Sequence, residues 1–289
     1  MKIITVKDVY HFLCQWAPLS LAEDWDPVGL QVGSLKNEVK GILVALDVTQ
    51  AVLEETKKKK CNLLITHHPL MGRLQGLAWH HPPHRAGGAG RVDFPRFDPH
   101  SIPARLAKKA KQQKINILSF HTNLDSTEEG LNDLLAQQLK LKNLKPLMKS
   151  RNKEFPKAGI GRIGSMAPIP LKQFLKHVSR CTKLKHFRYV GDLNRKIKKV
   201  AVVTGSGAGY FLQAKKKGAD VLVTGDVKYH TALDALAEGI ILIDIGHFAG
   251  EIGMVDLVLN KLKNGLPLSH KRISIYPTRA QVDPFDFWA

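Results

Sequence analysis

Short apolar runs rich in β-branched residues alternate with helical patterns along most of the chain, and this alternation restricts the fold more than any other feature. "GILVAL" (41–46), "NLLIT" (62–66), "INILSF" (115–120), "VAVVTG" (200–205), "DVLVTG" (220–225) and "IILIDIG" (240–246) are apolar almost throughout. That is how strands covered on both faces read. Helices are expected near 4–17, 50–60, 103–114, 128–140, 170–180, 208–217, 229–238 and 248–263. Strands joined by helical crossovers pair in parallel, so the predicted class is α/β with mixed, largely parallel sheets.

A chain of 289 residues has room for roughly two ordinary domains. The lysine- and proline-bearing stretch "KNLKPLMKSRNKEFPK" (142–157) is the candidate boundary, giving an N-terminal α/β lobe over 1–141 and a C-terminal one over 142–289, which are free to interleave. Residues 72–105 differ from the rest: they are rich in Gly, Pro, His and Arg and hold no lysine. They are expected to form a long irregular loop or to have a separate history, and their His80, His81, His84 and His100 to be solvated.

Cys14, Cys61 and Cys181 are scattered and odd in number, which suits a reducing cytoplasm and buried thiols better than a disulfide framework. No apolar stretch approaches the roughly 18 residues of a membrane span, so neither a membrane location nor a targeting segment is expected. The net charge of +19 is the compositional extreme. Such a field attracts polyanions, nucleic acid among them. However, most of the lysines (57–60, 108–114, 196–199, 215–217) fall on solvated faces or in last turns of expected helices, and no basic module interleaved with aromatics appears. Nucleic-acid binding is therefore the lesser reading.

The chemistry gathers where strands end. His67 and His68 follow "NLLIT" directly; in an extended strand adjacent side chains point to opposite faces, so the two rings would rarely grip one ion. "SFHTNLDS" (119–126) sets His121 and Asp125 after a second strand, and "TGDVKYH" (224–230) sets Asp226, Lys228 and His230 after a third. In "DIGHFAGE" (244–251), His247 and Glu251 stand four residues apart at a helix start, one turn from each other on one face. Histidines and carboxylates recurring at strand ends point to metal ligation. Three imidazoles (His67, His68, His247) and two carboxylates (Asp125, Glu251) suit two ions, with Glu251 as the bridge and open positions for water.

With "WDPVGLQVG" (25–33), "THHPL" (66–70), "HTNLD" (121–125), "TGDVKYH" and "GHFAGE" (246–251) in this order, the chain resembles the NIF-three-like family, also called the GTP cyclohydrolase 1 type 2 family. The resemblance implies a dinuclear centre with His67, His68, Asp125, His247 and Glu251 as ligands, in the cleft between two α/β lobes. It also implies a homohexameric ring. His121, Asp226 and His230 match positions near that site, where they would take proton-transfer or ligand-orienting roles. One departure is Gly250, where members usually carry Thr or Ser, which removes a hydroxyl beside Glu251 and loosens the helix start.

The glycines of "VVTGSGAGY" (202–210) form either a tight turn or, less readily, a phosphate cradle. The implied activity is hydrolysis by metal-activated water of a nucleotide-like, phosphorylated substrate, with opening of the imidazole ring of GTP as the case named by the family label. A non-catalytic metal-containing ring that binds partners or nucleic acid is the alternative. Mixed imidazole and carboxylate ligands admit two divalent ions per subunit of Zn, Fe, Mn, Co or Ni.

Overall fold

The computed structural model describes residues 3–70, 100–266 and 273–288. His80, His81, His84 and most of the 72–105 stretch lie outside the described residues, and its last few residues enter a helix. The chain forms two compact units: Met1–Gln15, Ala22–His121 and Val258–Gln281 make the first, and Trp16–Leu21, Thr122–Leu257 and Val282–Ala289 the second.

The first unit is built on a five-stranded sheet of β1 (Gly29–Val32), β2 (Gly41–Ala45), β3 (Leu63–Thr66), β4 (Asn116–Ser119) and β11 (Ser274–Pro277), in the order β1-β4-β3-β2-β11. Four strands run parallel and β1 pairs antiparallel with β4. Every residue of β2, β3 and β4 is buried, as their apolar runs require. Leu43, Ala45, Leu64 and Ile117 pack against α2 (Gln50–Lys58) and α3 (Ile102–Gln112) through Val52, Leu53, Leu106 and Ala110. Both helices begin on a hydroxyl cap, Thr49 accepting from Val52 N and Ser101 from Ala104 N. Both end in lysines that suit the helix dipole, Lys57 and Lys58 in one, Lys109 and Lys111 in the other.

The second unit carries a six-stranded sheet ordered β5-β6-β8-β9-β10-β7, formed by Lys142–Lys149, Gly159–Pro170, Lys196–Val202, Val221–Thr224, Ile241–Asp244 and Arg188–Val190 respectively. Only β8, β9 and β10 run parallel; β5, β6 and β7 add antiparallel edges. In those three central strands alternate residues go to opposite cores. Val200, Val202, Val221, Val223, Ile241 and Ile243 meet α5 (Leu131–Gln138) and α6 (Leu171–Thr182). Ala201, Leu222 and Leu242 meet α7 (Phe211–Lys216) and α8 (Tyr229–Ala237).

All six expected strands and each expected helix have counterparts. The stretch 142–157 does not behave as the expected connector: its first half is β5, an edge strand of the second sheet. Only Leu147 of β5 is buried, so its sequence lacks the apolar continuity that marks a central strand.

Arg162 of β6 is a buried ion of this unit. Its Nε and Nη2 donate to the two carboxylate oxygens of Asp133 at 2.7 Å each, Nη1 to the carbonyls of Gly159 and Gly161, and Nη2 to Thr127 O. The bidentate pairing ties β6 to α5 and to the turn after residue 126. Removing one partner leaves the other charge buried without compensation. Arg162→Met is therefore expected to destabilise the protein by about 3–5 kcal/mol, read as a fall in the urea midpoint at unchanged slope.

Candidate metal centre

Pairing register dictates what stands together at the carboxyl edge of the first sheet. Ala45 pairs with Thr66 and Thr66 with Ser119, so the residues two further on, Asp47, His68 and His121, emerge level with one another. Gly29 of the antiparallel β1 pairs with Ser119, which returns Trp25 and Asp26 to the same edge. His67 and His121 have ring centroids 4.9 Å apart, His68 and His121 5.4 Å, and one ring nitrogen from each of the three lies within 4.8 Å of the others.

The expectation that His67 and His68 diverge does not hold. The backbone N–H groups of both residues donate to the same acceptor, Leu46 O, at 3.1 Å. The chain thus leaves the extended ladder at Thr66 and curls, and the adjacent rings sit 5.0 Å apart instead of on opposite faces. The rings of His67 and His68 are then fixed through Nδ1, and that of His121 lies beside a carboxylate. That of His67, wholly buried, faces Phe120 O at 2.9 Å; that of His68 faces Asp47 Oδ1 at 3.1 Å; that of His121 stands 3.0 Å from the buried Asp26. For His67 and His68 the oxygen bonded at Nδ1 keeps the proton there and leaves the Nε2 lone pair for a cation.

The second unit repeats the arrangement. Beyond β8, β9 and β10 come Gly205, Asp226 and His247, the last opening a short helix α9 (His247–Glu251). His247 Nδ1 lies 2.7 Å from Asp226 Oδ2, Nε2 lies 3.0 Å from the buried Glu251 Oε2, and Ser206 Oγ donates to Asp226. Burial alone would lower the pKa of His247. Its hydrogen bonds to Asp226 and Glu251 prevail and raise it to about 10, while the bond from His247 lowers that of Asp226. Without a cation the proton on this imidazole is what holds the two carboxylates together.

Asp125, on the single-turn helix α4 (Thr122–Ser126), meets the same loop. Thr204 Oγ1 donates to its carboxylate at 3.4 Å, and buried Asn132 bridges Asp125 O to Thr204 N. The glycine-rich turn packs against this site. Gly205 has φ +60°, and a Cβ there would stand 2.1 Å from Glu251 Oε1 and 3.4 Å from His247 Nε2. Gly250 is different: a Cβ at that position would meet only ordinary contacts of 3.5 Å or more, so the missing hydroxyl reflects no lack of space.

Of the residues expected at the site, His67, His68 and His121 gather in the first unit, and Asp125, His247, Glu251 and Asp226 in the second. His230 is exposed on α8, its ring edge-on to Tyr229. Sequence patterns alone do not reveal Asp26, Asp47, Thr204 and Ser206. Asp26 stands in the first motif and Thr204 and Ser206 in the glycine-rich stretch, but only the fold shows their contacts with the site, and Asp47 reaches it through strand register. No helix among the described residues is long and apolar enough to cross a membrane.

A family profile described as Duf34/NIF3 (NGG1p interacting factor 3) matches residues 4–85 and 92–284. A "GTP cyclohydrolase 1 type 2 homolog" of Clostridium acetobutylicum is 34% identical over 288 residues, 98% of this chain and 99% of that one. Among solved structures, a Bacillus cereus protein related to NIF3 superposes with a TM-score of 0.83 at 25% identity over 100% of both chains. A hypothetical protein of Staphylococcus aureus does so with 0.82 at 30%, over 99% of this chain and 100% of that one.

The two glycines flanking Glu251 are expected to respond oppositely. Gly250→Ala should gain about 0.5–1 kcal/mol from lost unfolded-state freedom. Gly205→Ala should lose at least about 1–2 kcal/mol from its left-handed backbone alone and displace Glu251, as thermal melts of both variants would show. The raised pKa of His247 sets a pH dependence for metal-free protein. Its contribution is complete below about 6.5, the value for an unfolded histidine, and disappears as pH rises through about 10. Melting temperature in chelator should therefore fall across that window, and His247→Gln should flatten the slope.

Proposed function

The chain belongs to the Duf34/NIF3 family, and from that we propose that it is a divalent-metal-dependent hydrolase acting on a nucleotide-like substrate. The carrying observation is the set of four imidazoles, His67, His68, His121 and His247, each with Nδ1 turned to an oxygen. With the buried carboxylate of Glu251 and with Asp125, these residues offer the donors that borderline divalent ions take. We assign His67, His68, Asp125, His247 and Glu251 as ligands for two ions. Two bound ions would lower the pKa of a shared water toward ~7 and neutralise charge developing on the substrate.

The chain's own groups do the rest. Asp47 and the carbonyl of Phe120 hold the tautomers of His68 and His67, and Asp226 holds that of His247. To His121, which lies beside Asp26, we assign proton transfer. The names of the curated relatives point to GTP as the substrate, and the exposed lysines give its phosphates a favourable field. The family resemblance extends the proposal to self-assembly as a hexamer. The alternative, a metal-containing scaffold for nucleic acid, draws on the net charge of +19.

Metal analysis of untagged protein should find two divalent ions per chain, and GTP should release formate in a reaction lost with His68→Ala. Salt-sensitive DNA binding without turnover of nucleotides or phosphoesters would replace the enzyme with the scaffold.

A further inference from the structure

We infer that the outer face of α8 is a docking surface for a second copy of this chain, the two α8 helices packing antiparallel about a two-fold axis through Leu233. No metal ligand takes part, so the surface is independent of the proposed hydrolase.

The observation that carries it is an apolar stripe turned outward. In the same unit α6 buries its large apolar residues, Leu171, Phe174 and Val178. α8 does the reverse. It buries Ala235, with Ala232 partly buried against the core, and so lies on the sheet through small side chains. Its large ones point away: Tyr229, Leu233 and Leu236 are 73%, 45% and 56% exposed. Successive spacings of four and three residues gather them into a stripe about 60° wide on the helix surface. This is the repeat of a helix-to-helix seam. α7 is tied to α8 through Lys215 and Glu238, and Leu212, one turn before Lys215, is also exposed and widens the surface. A contiguous apolar surface of this kind marks an interaction site.

Charge identifies the partner. A helix favours acids at its N-terminus and bases at its C-terminus, and the final lysines of α2 and α3 obey the second half of that rule. α8 breaks both halves. It has no acid in its first turn and no base in its last, with Lys228 at the N-cap and Glu238 at the C-cap. An antiparallel copy reverses the mismatch, because each cap then lies beside the opposite end of the other helix. Leu233 stands five residues from either cap, so an axis there sets the two helices level end to end. His230 and Asp234 project from one flank of the stripe, about 40° apart. The same axis brings His230 of each copy beside Asp234 of the other, while Glu238 keeps its own Lys215. An unrelated partner has no reason to match this symmetry.

Sedimentation equilibrium of the full chain provides the test. Wild type should be an even-numbered oligomer, and Leu233→Asp should halve its mass; Leu233→Ser serves if circular dichroism shows the Asp variant misfolded. His230→Glu sets acid against acid across the axis and should lower the mass as well. Adding Asp234→Lys to it should restore the assembly. A monomeric wild type overturns the inference, as does a mass unchanged by Leu233→Asp or a charge swap that fails to rescue. A wild-type hexamer that Leu233→Asp leaves intact keeps the proposed self-assembly and removes this interface. A wild-type dimer that Leu233→Asp splits upholds the interface and removes the hexamer.

Discussion

In-register parallel pairing is the constraint from which the site follows. A parallel ladder aligns strand ends, and the backbone groups beyond those ends are free to turn and hydrogen-bond across loops. Asp47, His68 and His121 each stand two residues past a mutually paired position, and the curl onto Leu46 O completes their approach in the first unit. In the second unit Gly205 and Asp226 stand level in the same way, whereas His247 lies one residue beyond the level position, Gly246, at the start of α9. A one-residue slip in any of these strands would turn its chemistry to the wrong side along with its apolar residues, so the hydrophobic cores and the candidate site are specified by the same pairing.

What the register does not fix, close approach does. Glu251 is buried with its carboxylate against the backbone of Gly205, where any side chain would collide. That contact places a costly negative charge inside the protein, and the imidazole of His247, its pKa raised by Asp226 and Glu251, lies against it through Nε2. Much of the cost is met by neighbours already rigid: α9 leaves β10 through Gly246, and the loop bearing Gly205 is held to Asp125 through Asn132. A cation entering such a place replaces a proton; it need not build the site from a disordered loop.

Sequence legibility followed burial. β2, β3, β4, β8, β9 and β10 are covered on both faces and read as continuous apolar runs. β5 and β7 are edge strands with exposed residues, and β5 carries lysines and a proline that read as a connector. β6 is long and carries glycines and the buried Arg162, whose partner Asp133 lies 29 residues away, a distance no local pattern reveals. The histidines and acids at strand ends were legible as types and positions. The curl that unites His67 with His68 was not, because it depends on one carbonyl, Leu46 O, supplied by the neighbouring strand's extension.

The two units present unlike donors, and this asymmetry bears on metal choice. The first gathers three imidazoles with carboxylates behind them; in the second, Asp226 and Glu251 flank the imidazole of His247, and Asp125 accepts from Thr204 of the neighbouring loop. Imidazole binding gains from metals late in the Irving–Williams order, whereas a carboxylate-rich set takes its affinity from charge and admits Mn or Fe more readily. In a chain with net charge +19, the local negative charge of the second set also offsets long-range repulsion of a cation.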